Sequence, residues 1–256
     1  FGVASLRSFG DVIKQSSHGA VGALVIEPKD ATISFPDKTS KLTADIKVEG
    51  DKGKTNANAF REFVVVFQDD LSLEQNKQPM PNHRMADDAE DTGQKGFNYR
   101  TEPLWARNGR GGSGDSFNEL NDVDYTNTLS STAPNPGCGS AACGDPETSV
   151  FKANRGSNIR FRLVHPNGHS RQHAFVLHGH NWDYQPWMND STEIATPEQK
   201  AIRTTRLGAI GGIGPGRHFN IVTTAGGINQ VQGDYLFRVQ ENFQFQGGMW
   251  GILRVE

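Results

Sequence analysis

One nine-residue pattern occurs twice in the chain. Gly19-Ala-Val-Gly22-Ala-Leu24-Val-Ile26-Glu27 and Gly248-Met-Trp-Gly251-Ile-Leu253-Arg-Val255-Glu256 share G-x-x-G-x-L-x-[IV]-E, and each has a Gly-Asp pair upstream, at Gly10-Asp11 and at Gly233-Asp234. A pattern kept at two places marks a structural unit that occurs twice. Its Gly-bounded, alternating apolar run suits a strand that closes a β domain. The first copy ends near residue 28, and so few residues cannot hold a β-sandwich. The front of that unit is therefore expected on sequence outside this chain or on a separate polypeptide. The opening residues carry neither the basic region nor the apolar run of a signal peptide. The expected organisation is residues 1–30 as the C-terminal strands of an incomplete domain, followed by a complete domain at 31–256.

Composition points the same way. Glycine makes up 29 of 256 residues and phenylalanine 15, and short Val/Ile/Phe runs are split by Gly, Asn, Asp and Pro, as in an all-β sandwich or barrel. Twenty-six Lys+Arg stand against 29 Asp+Glu, for a net charge of -3. No excess of positive charge is available for phosphates, so nucleic acid and anionic membrane are excluded as expected partners. Apolar runs such as Val64-Val-Val-Phe67 are far shorter than the roughly 20 residues of a membrane-spanning helix, so no transmembrane segment is expected. The two cysteines, Cys138 and Cys143, lie in one Gly-rich loop. A small disulfide there would imply an oxidising compartment; two free thiols are the other reading.

Along the chain, a polar linker follows Pro28, and strands are expected at Leu42–Val48, Arg61–Phe67, Ser149–Ala153, Asn158–Val164, His218–Val222, Asp234–Val239 and Gly251–Val255. Arg61–Phe67 is apolar enough for burial on both faces, and Asn158–Val164 alternates like a half-exposed strand. Residues from about 84 to 149 read as a loop-dominated insertion, of the kind that is functional or interfacial rather than core. Thr196–Ile202 reads as a short helix with Pro at its first position. The Gly-rich run Gly208–Gly216 lacks the ending of a phosphate loop and reads as a backbone turn. Asp69-Asp70 and Asp87-Asp88 with Glu90 offer carboxylates for Ca2+, but the expected reading is exposed acidic loops that bind no ion.

Five of the eight histidines fall within His165-Pro-Asn-Gly-His169-Ser-Arg-Gln-His173-Ala-Phe-Val-Leu-His178-Gly-His180. Residues i and i+2 of a strand share a face, so His178 and His180 would project together as a chelating pair for copper or zinc. With His173, and with His165 or His169 as further donors, they are the candidate metal ligands. The competing reading is structural: imidazoles also hold loops by hydrogen bonds, and Gly179 marks a bulge.

His173-Ala-Phe-Val-Leu-His178-Gly-His180 resembles the H-P-F-H-L-H-G-H motif of the last cupredoxin domain of multicopper oxidases. Gly22-Ala-Leu-Val-Ile-Glu-Pro28 resembles the G-A-L-I-V-x-P ending of an earlier cupredoxin domain, and the tail from Gly233 to Gly251 resembles the family's closing region, in the style of the large multidomain bacterial members. The resemblance implies a cupredoxin-like Greek-key β-sandwich, an extracytoplasmic (periplasmic or secreted) location, and copper-dependent oxidation coupled to O2 reduction. It implies a type 1 copper ligand at His173 and a trinuclear-cluster ligand at His178. It also shows departures. Val176 replaces a histidine, and aligning the H-C-H-x3-H-x4-M motif on Met249 leaves that axial residue with Arg238, Val239, Gln240 and Gln244 at the other ligand positions. A type 1 site needs a thiolate, so that site is expected to be lost, and any working copper centres are expected on missing or partner sequence. The chain would then be a segment of a multicopper-oxidase-like oxidoreductase, or a copper-free, non-catalytic binding or assembly module. Its expected partner is an N-terminal polypeptide or upstream domains completing the first unit.

Overall fold

The computed structural model describes residues 2–11, 14–48, 59–71, 74–75, 77–79, 94–107, 126–166, 168, 172–184 and 206–256. Among them the strands are β1 (Gly2–Arg7), β2 (Val21–Ile26), β3 (Ala31–Ser34), β4 (Thr43–Val48), β5 (Ala59–Leu71), β6 (Glu74–Gln75), β7 (Gln78–Pro79), β8 (Gln94–Phe97) and β9 (Val150–Ala153), followed by β10 (Asn158–Val164), β11 (His173–Leu177), β12 (Trp182–Asp183), β13 (Arg206–Leu207), β14 (Ala209–Ile213), β15 (His218–Thr224), β16 (Gly233–Val239) and β17 (Trp250–Val255). Three short helices, α1 (Lys14–Ser17), α2 (Leu104–Arg107) and α3 (Asn242–Gln246), sit between strands.

Two sheets face each other. One runs β15-β10-β5-β4-β3 with β8 on the far end of β5; the other runs β14-β11-β16-β17-β9. β5/β10 and β17/β9 are parallel, and the remaining pairs in these sheets are antiparallel. The core between them follows strand periodicity. Phe63, Val65 and Phe67 of β5 and Ile159, Phe161 and Leu163 of β10 meet Phe151, Phe175, Phe237 and Leu253 of the opposite sheet. Phe63 stacks on Phe151 at 4.7 Å between ring centroids and Phe151 on Phe237 at 5.4 Å.

β5 is buried on both faces, as its unbroken apolar run predicts. Its even residues Val64 and Val66 pack with Val164 beneath the antiparallel ribbon β1–β2, which contributes Val3, Val21, Ala23 and Val25. The same ribbon overturns the half-exposed reading of β10. Arg162 is fully buried and donates to Glu62 at 3.0 Å and Asn220 at 2.8 Å, and also to Glu27 of the first repeat. Burial presses the Glu62 pKa upward while the Arg162 charge opposes it. A set of two arginines, Arg160 and Arg162, facing Glu27 and Glu62 thus fastens the ribbon to the sandwich.

Other expectations need correction. Gly208–Gly216 is no simple turn, since Ala209–Ile213 is the edge strand β14. The supposed insertion contains β8, whose Phe97 lies in the core. Asp69 sits in β5 and is buried, not in an exposed loop. The Thr196–Ile202 helix, His169, and Asp87, Asp88 and Glu90 lie outside the described residues.

The repeat is structural. β1–α1–β2 and β16–α3–β17 are both strand–helix–strand, and their antiparallel registers correspond pair by pair, from Gly2↔Ile26 and Gly233↔Val255 to Arg7↔Val21 and Arg238↔Trp250. The upstream Gly-Asp pairs are not equivalent, because Gly233 opens β16 whereas Gly10 follows β1. Gly19 and Gly248, the first glycines of the two patterns, both hold positive φ, 89° and 117°, a region open to glycine at little cost.

Candidate functional site

Four inward-facing alternations run past the apolar core into charge at one end of the sandwich. On β5, Phe63, Val65 and Phe67 lead to Asp69; on β10, Ile159, Phe161 and Leu163 lead to His165, just beyond the strand; β8 carries Lys95 in phase with Phe97, and β11 carries His173 in phase with Phe175 and Leu177. All four polar side chains are buried. The Lys95 ammonium lies 2.7 Å from Asp69 Oδ1, and His173 Nε2 lies 3.1 Å from Asp69 Oδ2. Burial alone would raise the Asp69 pKa, but the His173 hydrogen bond and the Lys95 charge outweigh it and hold the carboxyl well below the usual range. His165 stacks beside His173 at 5.2 Å, and among the described residues neither of its ring nitrogens has a hydrogen-bond partner. Desolvation, reinforced by His173, pushes the His165 pKa down to about 4, so the ring is neutral at physiological pH. Phe67 lies 6.0 Å from each imidazole and forms the floor. Gly168 closes the cap, since a Cβ there would stand 2.9 Å from His165 Cε1 and 3.3 Å from Asp69 Cβ.

Of the residues proposed from the sequence, the fold brings His173 and His165 together and leaves His178 and His180 apart from them. β11 ends at Leu177 and the chain turns at Gly179, φ 72°, so the strand rule no longer applies. His178 is exposed and accepts from Arg238 Nε at 3.2 Å. His180 is buried, with Nδ1 3.0 Å from the His178 carbonyl and Nε2 accepting from Gly226 N at 3.1 Å. Both of its nitrogens are thereby engaged within the fold. Met249 is fully buried in the core, and Val239, at the cysteine position, is a core residue too. Cys138 and Cys143 form a disulfide in the loop that Arg107 holds through Thr128, Ser130 and Gly144 carbonyls.

Copper bound by a thiolate does not fit these residues. Both cysteines are committed to the disulfide, and valine and glutamine donate no charge. Asp69, His165 and His173 do offer three ligand atoms within 4.8 Å of one another. Asp69, however, already has one oxygen on an ammonium and the other on His173, so a dication would be placed beside a buried cation. What the arrangement does chemically is set the Lys95 ammonium and a His173 ring nitrogen against the buried Asp69 carboxylate.

Sequence reasoning took Asp69 for part of an exposed acidic loop and passed over Lys95. The signal was present for Asp69, which continues Phe63, Val65 and Phe67 in phase.

No known family model and no curated protein matches the sequence. Solved structures do. A blue copper oxidase from Nitrosomonas europaea is similar over 99% of this chain and 56% of its own, at 13% identity and a TM-score of 0.47. A laccase from Botrytis aclada is similar over 99% of this chain and 35% of its own, at 15% identity and a TM-score of 0.48. An auracyanin from Roseiflexus castenholzii matches 43% of this chain and 86% of its own, at 22% identity and a TM-score of 0.27. The chain spans about half the length of the first and about a third of the second. The described residues form a sandwich of two facing β-sheets, and the solved structures similar to it include multicopper oxidases and laccases.

Proposed function

We propose that this chain is a non-redox segment of a multicopper-oxidase-like protein, with the copper centres that oxidise substrate and reduce O2 on sequence outside residues 1–256. The observation that carries this reading is the Lys95–Asp69–His173 network, which stands at the motif's first histidine with its charges already matched. The disulfide supports a periplasmic or secreted location. No helix among the described residues is long and apolar enough to cross a membrane. The test is copper analysis and oxidase assay, with phenols, Mn(II) and Fe(II), on both the 256-residue chain and the intact assembly it comes from. The expected result is copper and activity in the assembly and neither in the chain alone. One tightly bound copper per isolated chain with intense visible absorption would sink the reading. An intact assembly without copper would favour the alternative, a copper-free binding or assembly module, which the exposed apolar face of β1–β2 also supports. If the isolated chain does take up a metal, the proposed ligands are His173 with His165 and Asp69, rather than His178 and His180.

A further inference from the structure

In the second repeat, one face of β16–β17 is core: Phe237, Leu253 and Val255 are 0%, 0% and 3% exposed. The registers map these positions onto Leu6, Leu24 and Ile26 of β1–β2. There the same face is bare, at 48%, 48% and 50% exposed. The opposite face of the ribbon is already covered, through Val3, Val21, Ala23 and Val25 on β5 and β10. The edges differ in the same way. β16 has β11 as an antiparallel neighbour and β17 has β9 as a parallel one, whereas among the described residues β1 and β2 pair only with each other. Unpaired strand edges beside an apolar face are a ready template for further strands.

We infer that the Leu6–Leu24–Ile26 face is the inner face of a second β-sandwich, completed by polypeptide outside these 256 residues. That polypeptide supplies an apolar sheet across the face, a strand antiparallel to β1 and a strand parallel to β2. A second copy of this chain does not meet the requirement. The sheet face that performs this role for β16–β17, built on Phe63, Phe161 and Ile221, is already buried against its own partner sheet, so a second copy has no equivalent sheet face to offer. The inference rests on the reading of the chain as part of a larger assembly and is independent of whether that assembly holds copper.

Hydrogen–deuterium exchange on the isolated chain and on the intact assembly tests it. In the isolated chain, peptides covering Leu24–Ile26 are expected to exchange about a hundredfold faster or more than those covering Leu253–Val255, and in the assembly the two are expected to be equally protected. A Leu24→Asp/Ile26→Asp variant is expected to keep the isolated chain's melting temperature and to lose the assembly, while Ile228→Asp, at another exposed site, keeps both. Fast exchange at Leu24–Ile26 within the assembly overturns the inference. So does protection of the isolated chain that rises with concentration alongside a dimer in light scattering, which would make a second copy the occupant. Copper content separates the two readings: a copper-free assembly with a protected ribbon ends the oxidase reading and leaves this one standing.

Discussion

The two strand–helix–strand repeats share a motif, a register and a pair of positive-φ glycines, yet one lies inside a sandwich and the other lies on top of it. The difference separates what local sequence dictates from what it does not. Glycine placement and alternation fix the hairpin and its register. Burial is decided by what folds over it: among the described residues only the second repeat has flanking strands, β9 and β11, and its Phe237–Leu253–Val255 face lies in the core, whereas the first repeat meets the β5–β10 sheet with its other face alone. The terminal glutamates diverge accordingly: the Glu27 side chain is buried against Arg162, while Glu256 makes an exposed pair with Lys152 at 3.2 Å.

The largest expected effect is at the cap beside the second repeat. Asp69→Ala would leave the Lys95 ammonium buried without its counter-charge, and breaking such a pair from one side costs about 3–5 kcal/mol. Denaturant titration should show that loss, and the double variant Asp69→Leu/Lys95→Met should recover most of it. Nothing of this size is expected at the corresponding loop of the first repeat, where Ser8 and Gln15 share only an exposed hydrogen bond. Next in size is a matched pair in the repeats themselves. Leu253→Ala removes a fully buried side chain and should cost about 2–5 kcal/mol. Leu24→Ala, at the equivalent position on the bare face, should cost the isolated chain about 0.5 kcal/mol or less. Equal losses from the two would mean that the bare face is covered within this chain.

Much of the sandwich was legible because each strand announces itself locally: Arg61–Phe67, Asp234–Val239 and Gly251–Val255 were all readable from alternation and glycine boundaries. The ribbon's effect on β10 was not, because Arg160 and Arg162 look like solvent-facing alternates until Glu27, more than a hundred residues earlier, is placed above them. The cap was half legible. His173 and His165 stood out by residue type, but the partners that settle their chemistry come from β5 and β8, and β8 lay in a stretch too polar to suggest a core strand. His178 and His180 mislead for a local reason, since one positive-φ glycine is enough to end the period-2 rule.

The cap also gives the two repeats different responses to acid. His165 is held neutral in the fold, with its pKa pushed down to about 4 by burial, while the unfolded chain protonates near the ordinary value of about 6.5. The unfolded state therefore binds more protons between those values, and stability falls as pH drops through the window, by about 3 kcal/mol in all. Asp69, held below the usual carboxylate range, adds loss in the same direction below about pH 4. Thermal melts between pH 7 and pH 4 should show the decline, and His165→Phe should flatten it. A curve unchanged by that substitution would place the acid sensitivity elsewhere.

The smallest effect is the most discriminating. At Gly251 an added Cβ would lie 2.3 Å from the Phe237 ring and 2.6 Å from the Ser149 carbonyl, whereas at Gly22 the nearest atom outside its own neighbours is Leu6 Cβ at 3.9 Å. Glycine within a strand carries an entropic cost of roughly 0.5–1 kcal/mol relative to alanine, so Gly22→Ala should leave the isolated chain unchanged or stabilise it by up to about that amount. Ser149 precedes β9, the strand that flanks the second repeat. If an equivalent strand flanks β2 in the intact assembly, its backbone approaches Gly22 as Ser149 approaches Gly251, and the same alanine then weakens assembly. Opposite signs in the chain and in the assembly, read by melting temperature and by co-purification, would show that the glycine of the first repeat is kept for a neighbour this chain does not supply. A neutral result in both would mean that the two repeats share a hairpin and nothing beyond it.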